Sequence, residues 1–456
     1  MRSKKRARKA ASSSRRLIAL AAVAFAGSVT AQAPQPTPPA DAAAGPREPG
    51  AAVGNLTAPR RFRDAMVESR DYNAALKPAL DVVAAQAGAR DAAYANDVSV
   101  LARIQAELGQ FDKAEASYLQ AIDALQTTEG EFTLSLVSPY RGLGRAYIKA
   151  GRYPEAITTL ETARTISQRN LGLFNVEQSP LLDDITTAYL GLGDTRKAQD
   201  IQLERLDNAV RRYGADDQRV IPFRYVLADY YQRSRELDSA RQQYTDVLKT
   251  QESQLGPEHP GLLSPLRQLV RIDLLTSQTQ AGDAHARLVS VLQQNPNTDA
   301  IERGESLATL GDWAIVANDM TAARDWYKQA WEAFSSKPGF DTAAAFAKPE
   351  MIDFIAPLNS VDRGAKSKLP YAWAEIGFDF DVSADGRPQN VHAVRAEGAP
   401  PSEFESRYSR RLRETHFRPR LVAGEPVATE NVQFTHYFRV YVDPKKKRAQ
   451  PPADQG

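Results

Sequence analysis

The chain has 456 residues, 25% of them charged, no cysteine, and a formal net charge of +2 at pH 7. Its length leaves room for two or more domains, and the lack of cysteine excludes disulfides and thiolate metal sites while leaving the redox compartment open. The positive balance is local: Met1 to Arg16 holds eight of the 58 lysines and arginines and no acid, so the remainder is net acidic, 50 basic residues against 56 acidic.

That basic start reads as an address label. "MRSKKRARKAASSSRR" is a charged n-region, "LIALAAVAFAGSVTA" is an apolar run of 15 residues, and Val29-Thr30-Ala31 offers small residues for cleavage before Gln32. Residues 1–31 are therefore expected to be a bacterial signal peptide, which sends the protein to the periplasm. The alternative is an uncleaved inner-membrane anchor; the run falls short of the ~20 apolar residues that span a bilayer. "APQPTPPADAAAGPREPG" follows without periodicity, so residues 32–59 are expected to form a disordered Pro/Ala-rich linker.

Residues 60–335 repeat. Ala114, Ala156, Ala198 and Ala240 lie 42 residues apart; Gly109, Gly151, Gly193 and Arg235 precede them at one offset, and Tyr118, Leu160 and Tyr244 follow at another. A fixed period of this length signals a solenoid of helix hairpins, in which small residues let helices approach and glycine ends the first helix at a positive φ. Weaker copies around Ala75, Ala284 and Ala323 bring the count to six or seven. These units resemble the tetratricopeptide repeat (TPR) in its long, kinesin-light-chain-like form, whose G-x-x-H-P signature stands at Gly256 to Pro260. The resemblance implies a protein-binding α-solenoid whose first helices line a concave surface. Residues 336–349 are expected to be a linker.

Residues 350–443 change period. Ile376, Phe378, Phe380 and Val382 alternate with polar residues, Asp385-Gly386 supplies a turn, and Val391 to Ala396 resumes as a second strand. Ser402 and Glu405 open a helix carrying Phe404, Tyr408 and Leu412 on one stripe, and Val432 to Val442 alternates as a long third strand. The result is a small α+β domain. Its D-G-R turn at Asp385 to Arg387, F-x-P at Phe417 to Pro419 and G-x-P-V at Gly424 to Val427 resemble the C-terminal domain of the TonB family. That family pulls on outer-membrane transporters from the periplasm. Residues 444–456 make a disordered basic tail, whose Lys445 to Arg448 run suits solvent better than nucleic acid.

Nothing in the chain assembles catalytic chemistry. Gly142-Leu143-Gly144 and Gly191-Leu192-Gly193 lack the spacing and preceding strand of a phosphate loop, and the five histidines show no ligand pair. The expectation is a non-enzymatic protein without cofactor, metal, small-molecule substrate or nucleic acid. Arg141, Arg145 and Lys149 fall on one helical face, and Arg103 precedes Arg145 by one 42-residue period. Together they suit an acidic peptide, or else form a solvated face. In the α+β domain, the TonB resemblance implies strand addition along the last strand, with Gln433, Thr435, Tyr437 and Arg439 turned away from the packed face. The reading is a periplasmic adaptor for cell-envelope proteins or peptides, an outer-membrane transporter among them. The alternative is a TonB-type energy transducer, although the apolar run Leu17 to Ala31 lacks the histidine that family carries there.

Overall fold

The computed structural model describes residues 56–276, 283–356, 371–397 and 403–441; the expected signal peptide, nearly all of the proline-rich segment and the basic tail lie outside the described residues. The first fourteen helices form seven antiparallel hairpins. They are α1 Thr57–Glu68 with α2 Tyr72–Ala84, α3 Ala92–Glu107 with α4 Phe111–Glu129, and α5 Val137–Lys149 with α6 Tyr153–Leu171. Then come α7 Ser179–Leu192 with α8 Thr195–Tyr213, α9 Ile221–Ser234 with α10 Leu237–Leu255, α11 Leu263–Thr276 with α12 Asp283–Gln294, and α13 Ala300–Val316 with α14 Met320–Ser335. The solenoid thus starts at Thr57, three residues before the expected boundary at 60.

The repeat residues do the packing work expected of them. Ala114, Ala156, Ala198 and Ala240 are all fully buried where second helices cross first ones. Gly109, Gly151 and Gly193 end first helices with φ of 74°, 74° and 80°, and Arg235 is held at 65° at the same position. The extra length of the repeat lies in its second helix. α4, α6, α8 and α10 each run 19 residues and stop at a positive-φ glycine, after which a 3-10 turn leads into the next hairpin. In the last of these turns His259 accepts a hydrogen bond on Nδ1 from the Gly261 N–H at 3.0 Å, a structural role. Among the described residues no helix is long and apolar enough to cross a membrane.

The N-terminal hairpin is fastened by buried charge. Asp97 on α3 is 1% exposed and accepts from Arg63 Nη1 at 2.6 Å, Arg60 Nε at 2.9 Å and Gln86 Nε2 at 2.8 Å. Burial alone would raise its carboxyl, but these donors outweigh it and hold Asp97 below the ordinary carboxylate value.

Beyond α14 the chain does not leave the solenoid as a free linker. A short helix, α15 Thr342–Ala345, turns Phe346 back to 2% exposure, stacked with Trp331 and edge-on to Phe334. The expected linker at 336–349 is therefore packed chain, because its two phenylalanines find apolar surface on the last hairpin.

The α+β domain comprises β1 Glu350–Met351, β2 Tyr371–Val382, β3 Pro388–Glu397, α16 Glu403–Glu414, β4 Phe417–Arg418, β5 Arg420–Val422, β6 Glu425–Val427 and β7 Thr429–Tyr441. β2 is central, antiparallel to β3 on one side and to β7 on the other; β1 pairs with β4, and β5 with β6. The alternation read from sequence buries Ile376, Phe378, Phe380 and Val382 against Tyr408 and Leu412 of α16. Gly386 is required at the β2–β3 turn. Its φ is +71°, its carbonyl accepts from the Phe417 N–H at 2.9 Å, and any Cβ there would collide with the Phe417 carbonyl. Both β1 and the β5–β6 hairpin went unread in the sequence; they are two or three residues long, too short for a period to register.

The two modules meet through a buried network. Arg418 on β4 donates from Nε and Nη2 to the two oxygens of Asp312 on α13, at 2.8 and 2.5 Å, and from Nη1 to Glu350 at 2.7 Å. Tyr327 on α14 donates its hydroxyl to Asp312 at 2.9 Å. Around this network, Leu421 joins the solenoid core and Gly424 lies against Trp331.

Candidate functional site

The first helices α3, α5 and α7 lie side by side, so residues one period apart in sequence face each other across neighbouring repeats. Between them opens a cavity of about 620 Å³. All four cations expected to form a strip, Arg103, Arg141, Arg145 and Lys149, line it, together with Tyr118 from α4 and apolar groups including Leu134 and Leu171.

The strip is less basic than its sequence. Arg141 Nε donates to Asp184 of α7 at 2.6 Å, and Lys149 is paired with Glu107 of α3. Arg145 stands 3.9 Å from Asp184, and Arg103 makes no ion pair among the described residues. Burial raises the Asp184 carboxyl, with Arg141 and Arg145 opposing that rise. Two of the four cations are thus neutralised by the adjacent helices, Glu177 adds a carboxylate to the lining, and of the remaining cations Arg103 has no ion pair among the described residues while Arg145 has only the longer one to Asp184.

Tyr118 stands at the repeat offset shared by Leu160 and Tyr244, and its ring packs, with only 4% of the residue exposed. A Cβ on Gly142 would run into that ring and its hydroxyl, so glycine is what lets the phenol lie across α5. Burial pushes the phenol up to about 12, with Arg103 and Arg145 pulling the other way and Glu107 adding to it. The hydroxyl has no hydrogen-bond partner among the described residues.

In the α+β domain, β7 is an edge strand of the three-stranded sheet. Gln433, Thr435 and Tyr437 are exposed on it, while Val432, Phe434 and His436 are half-buried. Arg439 stands opposite Trp373 in the register. At the start of the strand Asp381 accepts from the Asn431 N–H at 3.0 Å and from Asn390 Nδ2 at 2.7 Å, which ties both outer strands to β2. Among the described residues no group of three or more His, Asp or Glu is arranged to hold a metal ion.

Tetratricopeptide-repeat family profiles match residues 100–124, 135–209 and 224–261. The chain carries tetratricopeptide repeats. Solved structures similar to it include the nearly identical TPR-like repeats of a Podosopora anserina kinesin light chain, at 20% identity over 46% of this chain and 98% of that one, TM-score 0.36. The C-terminal part of a TPR repeat-containing protein from Cytophaga hutchinsonii is similar at 14% identity over 61% and 96%, TM-score 0.39. The apo form of RapI is similar at 10% identity over 61% and 97%, TM-score 0.36. No curated protein matches the chain. TPR modules suggest protein–protein interaction and are typically non-enzymatic scaffolds.

Proposed function

We propose that this protein is a non-enzymatic adaptor of the bacterial cell envelope, exported to the periplasm, which holds an acidic segment of a partner protein in the groove formed by α3, α5 and α7. The observation that carries the reading is the cavity of about 620 Å³ whose wall presents Arg103, which makes no ion pair among the described residues, and Arg145, whose one carboxylate neighbour, Asp184, stands at 3.9 Å and is shared with Arg141. Charge complementarity of this kind steers association and selects against basic partners. Export rests on the n-region, the apolar run and the small residues before Gln32. A second contact is proposed at β7, whose edge position supports addition of an extended strand and accords with the TonB-family resemblance. That edge also favours the runner-up reading, an energy transducer acting on outer-membrane transporters.

The test is affinity capture from envelope extracts with the full chain and with the Arg103→Glu, Arg145→Glu double variant. At least one protein held by the wild type is expected to be lost by the variant, and the wild type recovered from the periplasmic fraction should begin near Gln32. Retention of every captured protein by the variant would overturn the groove reading; a full-length chain in the inner membrane would favour the transducer.

A further inference from the structure

The second helix of the fourth hairpin departs from the pattern that packs its neighbours. At steps of 42 residues Tyr118, Leu160 and Tyr244 fill one core position, and Gln202 takes it in α8. Ala121, Ala163 and Val247 are fully buried at the next core position, where α8 has Arg205; at a third, Ala124 and Ile166 precede Asn208, and Thr250 follows it. The facing first helix changes in the same way. Leu182 of α7 and Leu266 of α11 are fully buried, whereas Arg224 stands at the equivalent place in α9 between them. Four core positions that are apolar or aromatic in at least two other repeats are thus polar at one junction.

Those side chains are taken from water without being fully answered. Gln202 is 4% exposed and Asn208 2%; Gln202 Nε2 donates to Thr186 at 2.8 Å, but its Oε1 and Asn208 Nδ2 have no hydrogen-bond partner among the described residues. Arg205 lies over the Phe223 ring of α9 with Nη1 3.4 Å from Asp183, yet neither its Nε nor its Nη1 is hydrogen-bonded among them. Arg224 Nη1 reaches Asp246 at 2.8 Å while its Nε is left over. Each such atom gives up hydration without full replacement, so this junction is held less firmly than those on either side. The apolar core divides here too. Ile201 joins the cluster of α6 and α7, whereas Ala198 and the half-buried Leu206 join the one that continues from α9 to Leu421 of the α+β domain.

We propose that the solenoid is jointed between α8 and α9, so that α1 to α8 move as one body and α9 through the α+β domain as another. The motion is a change of curvature confined to the polar layer, where side chains can exchange a partner in the protein for water while the apolar hairpins on either side stay packed. The first body carries the groove and the second carries the β7 edge, so the joint sets how far apart those two surfaces stand. It exists whether or not either surface holds a partner.

The chain has no cysteine, so spin labels on introduced cysteines report single distances by double electron–electron resonance. In the full chain, Asp123→Cys with Lys249→Cys spans the joint, and Lys77→Cys with Leu203→Cys lies within the first body; both pairs stand three repeats apart at exposed positions. The spanning pair is expected to give a distance distribution roughly twice as broad as the other. Placing in the joint the apolar side chains of neighbouring repeats, as Gln202→Leu, Arg205→Ala, Asn208→Ile and Arg224→Leu together, should narrow the spanning distribution to the width of the control and leave the control unchanged. The same variant should slow amide exchange in α8 and α9 by about tenfold. Should the fourfold variant fail to fold, the comparison of the two pairs in the otherwise unaltered chain still decides. Equal widths there would overturn the joint, and so would a folded variant whose spanning distribution stays broad, since the motion would then lie elsewhere along the chain.

Discussion

Arg418→Ala is expected to destabilise the protein by about 3–5 kcal/mol and to uncouple the α+β domain from the solenoid. The guanidinium answers both oxygens of Asp312, which is 6% exposed, as well as Glu350. Removing it leaves the Asp312 carboxylate in a closed interface with only the Tyr327 hydroxyl as hydrogen-bond donor among the described residues, Arg271 acting on it through charge alone. A buried charge stripped of its partner costs on the order of 3–5 kcal/mol, far more than an exposed pair would. Urea denaturation followed both by far-UV circular dichroism and by tryptophan fluorescence should show the loss, with the two probes no longer coincident. The double variant Arg418→Met, Asp312→Leu should regain most of the stability, since apolar groups can replace a buried pair with little net loss. A single variant with wild-type stability would mean that the interface does not depend on this pair.

Asp97→Ala should be comparably damaging, about 3–5 kcal/mol by the same reasoning, because Arg63 is 2% exposed and would keep only Asp64. The damage should be confined to the N-terminal end. In a repeat protein each unit contacts chiefly its neighbours, so amide exchange is expected to quicken in α1, α2 and α3 while α9 to α14 remain protected. The wild-type contribution has a defined pH dependence. Asp97 is held below its ordinary value of 3.8, so its stabilisation is complete above that value and is lost as pH falls through the lower folded-state value. Asp97→Ala should accordingly remove part of the acid sensitivity of α1 to α3.

The repeat architecture was legible because its physical requirements recur. A fully buried alanine and a positive-φ residue return every 42 residues, and even Arg235 takes the glycine's conformation. In the groove, a signal was available that residue types alone did not reveal. Lys149 and Glu107 are one period apart and Arg141 and Asp184 one period and one residue, so solenoid stacking brings them together. Opposite charges at that separation pair, which is why half of the expected basic strip is neutral. The Arg418 to Asp312 contact spans 106 residues and obeys no period, so only the docked domains reveal it. The hairpin of β2 and β3 was readable from its alternation and its Asp385-Gly386 turn, whereas the packing of 336–349 depended on surface that Trp331 and Phe334 provide in three dimensions.

The central claim is that an acidic partner segment lies in the groove of the N-terminal repeats, and hydrogen exchange on the full chain with and without a bound partner tests it most directly. The partner is the protein captured by wild type and lost by Arg103→Glu, Arg145→Glu. Slowed exchange is expected in α3 and α5, around Arg103 and Arg145, with β7 gaining protection as well if a strand adds to the sheet edge. Unchanged exchange throughout α3 and α5 in the saturated complex would contradict the account.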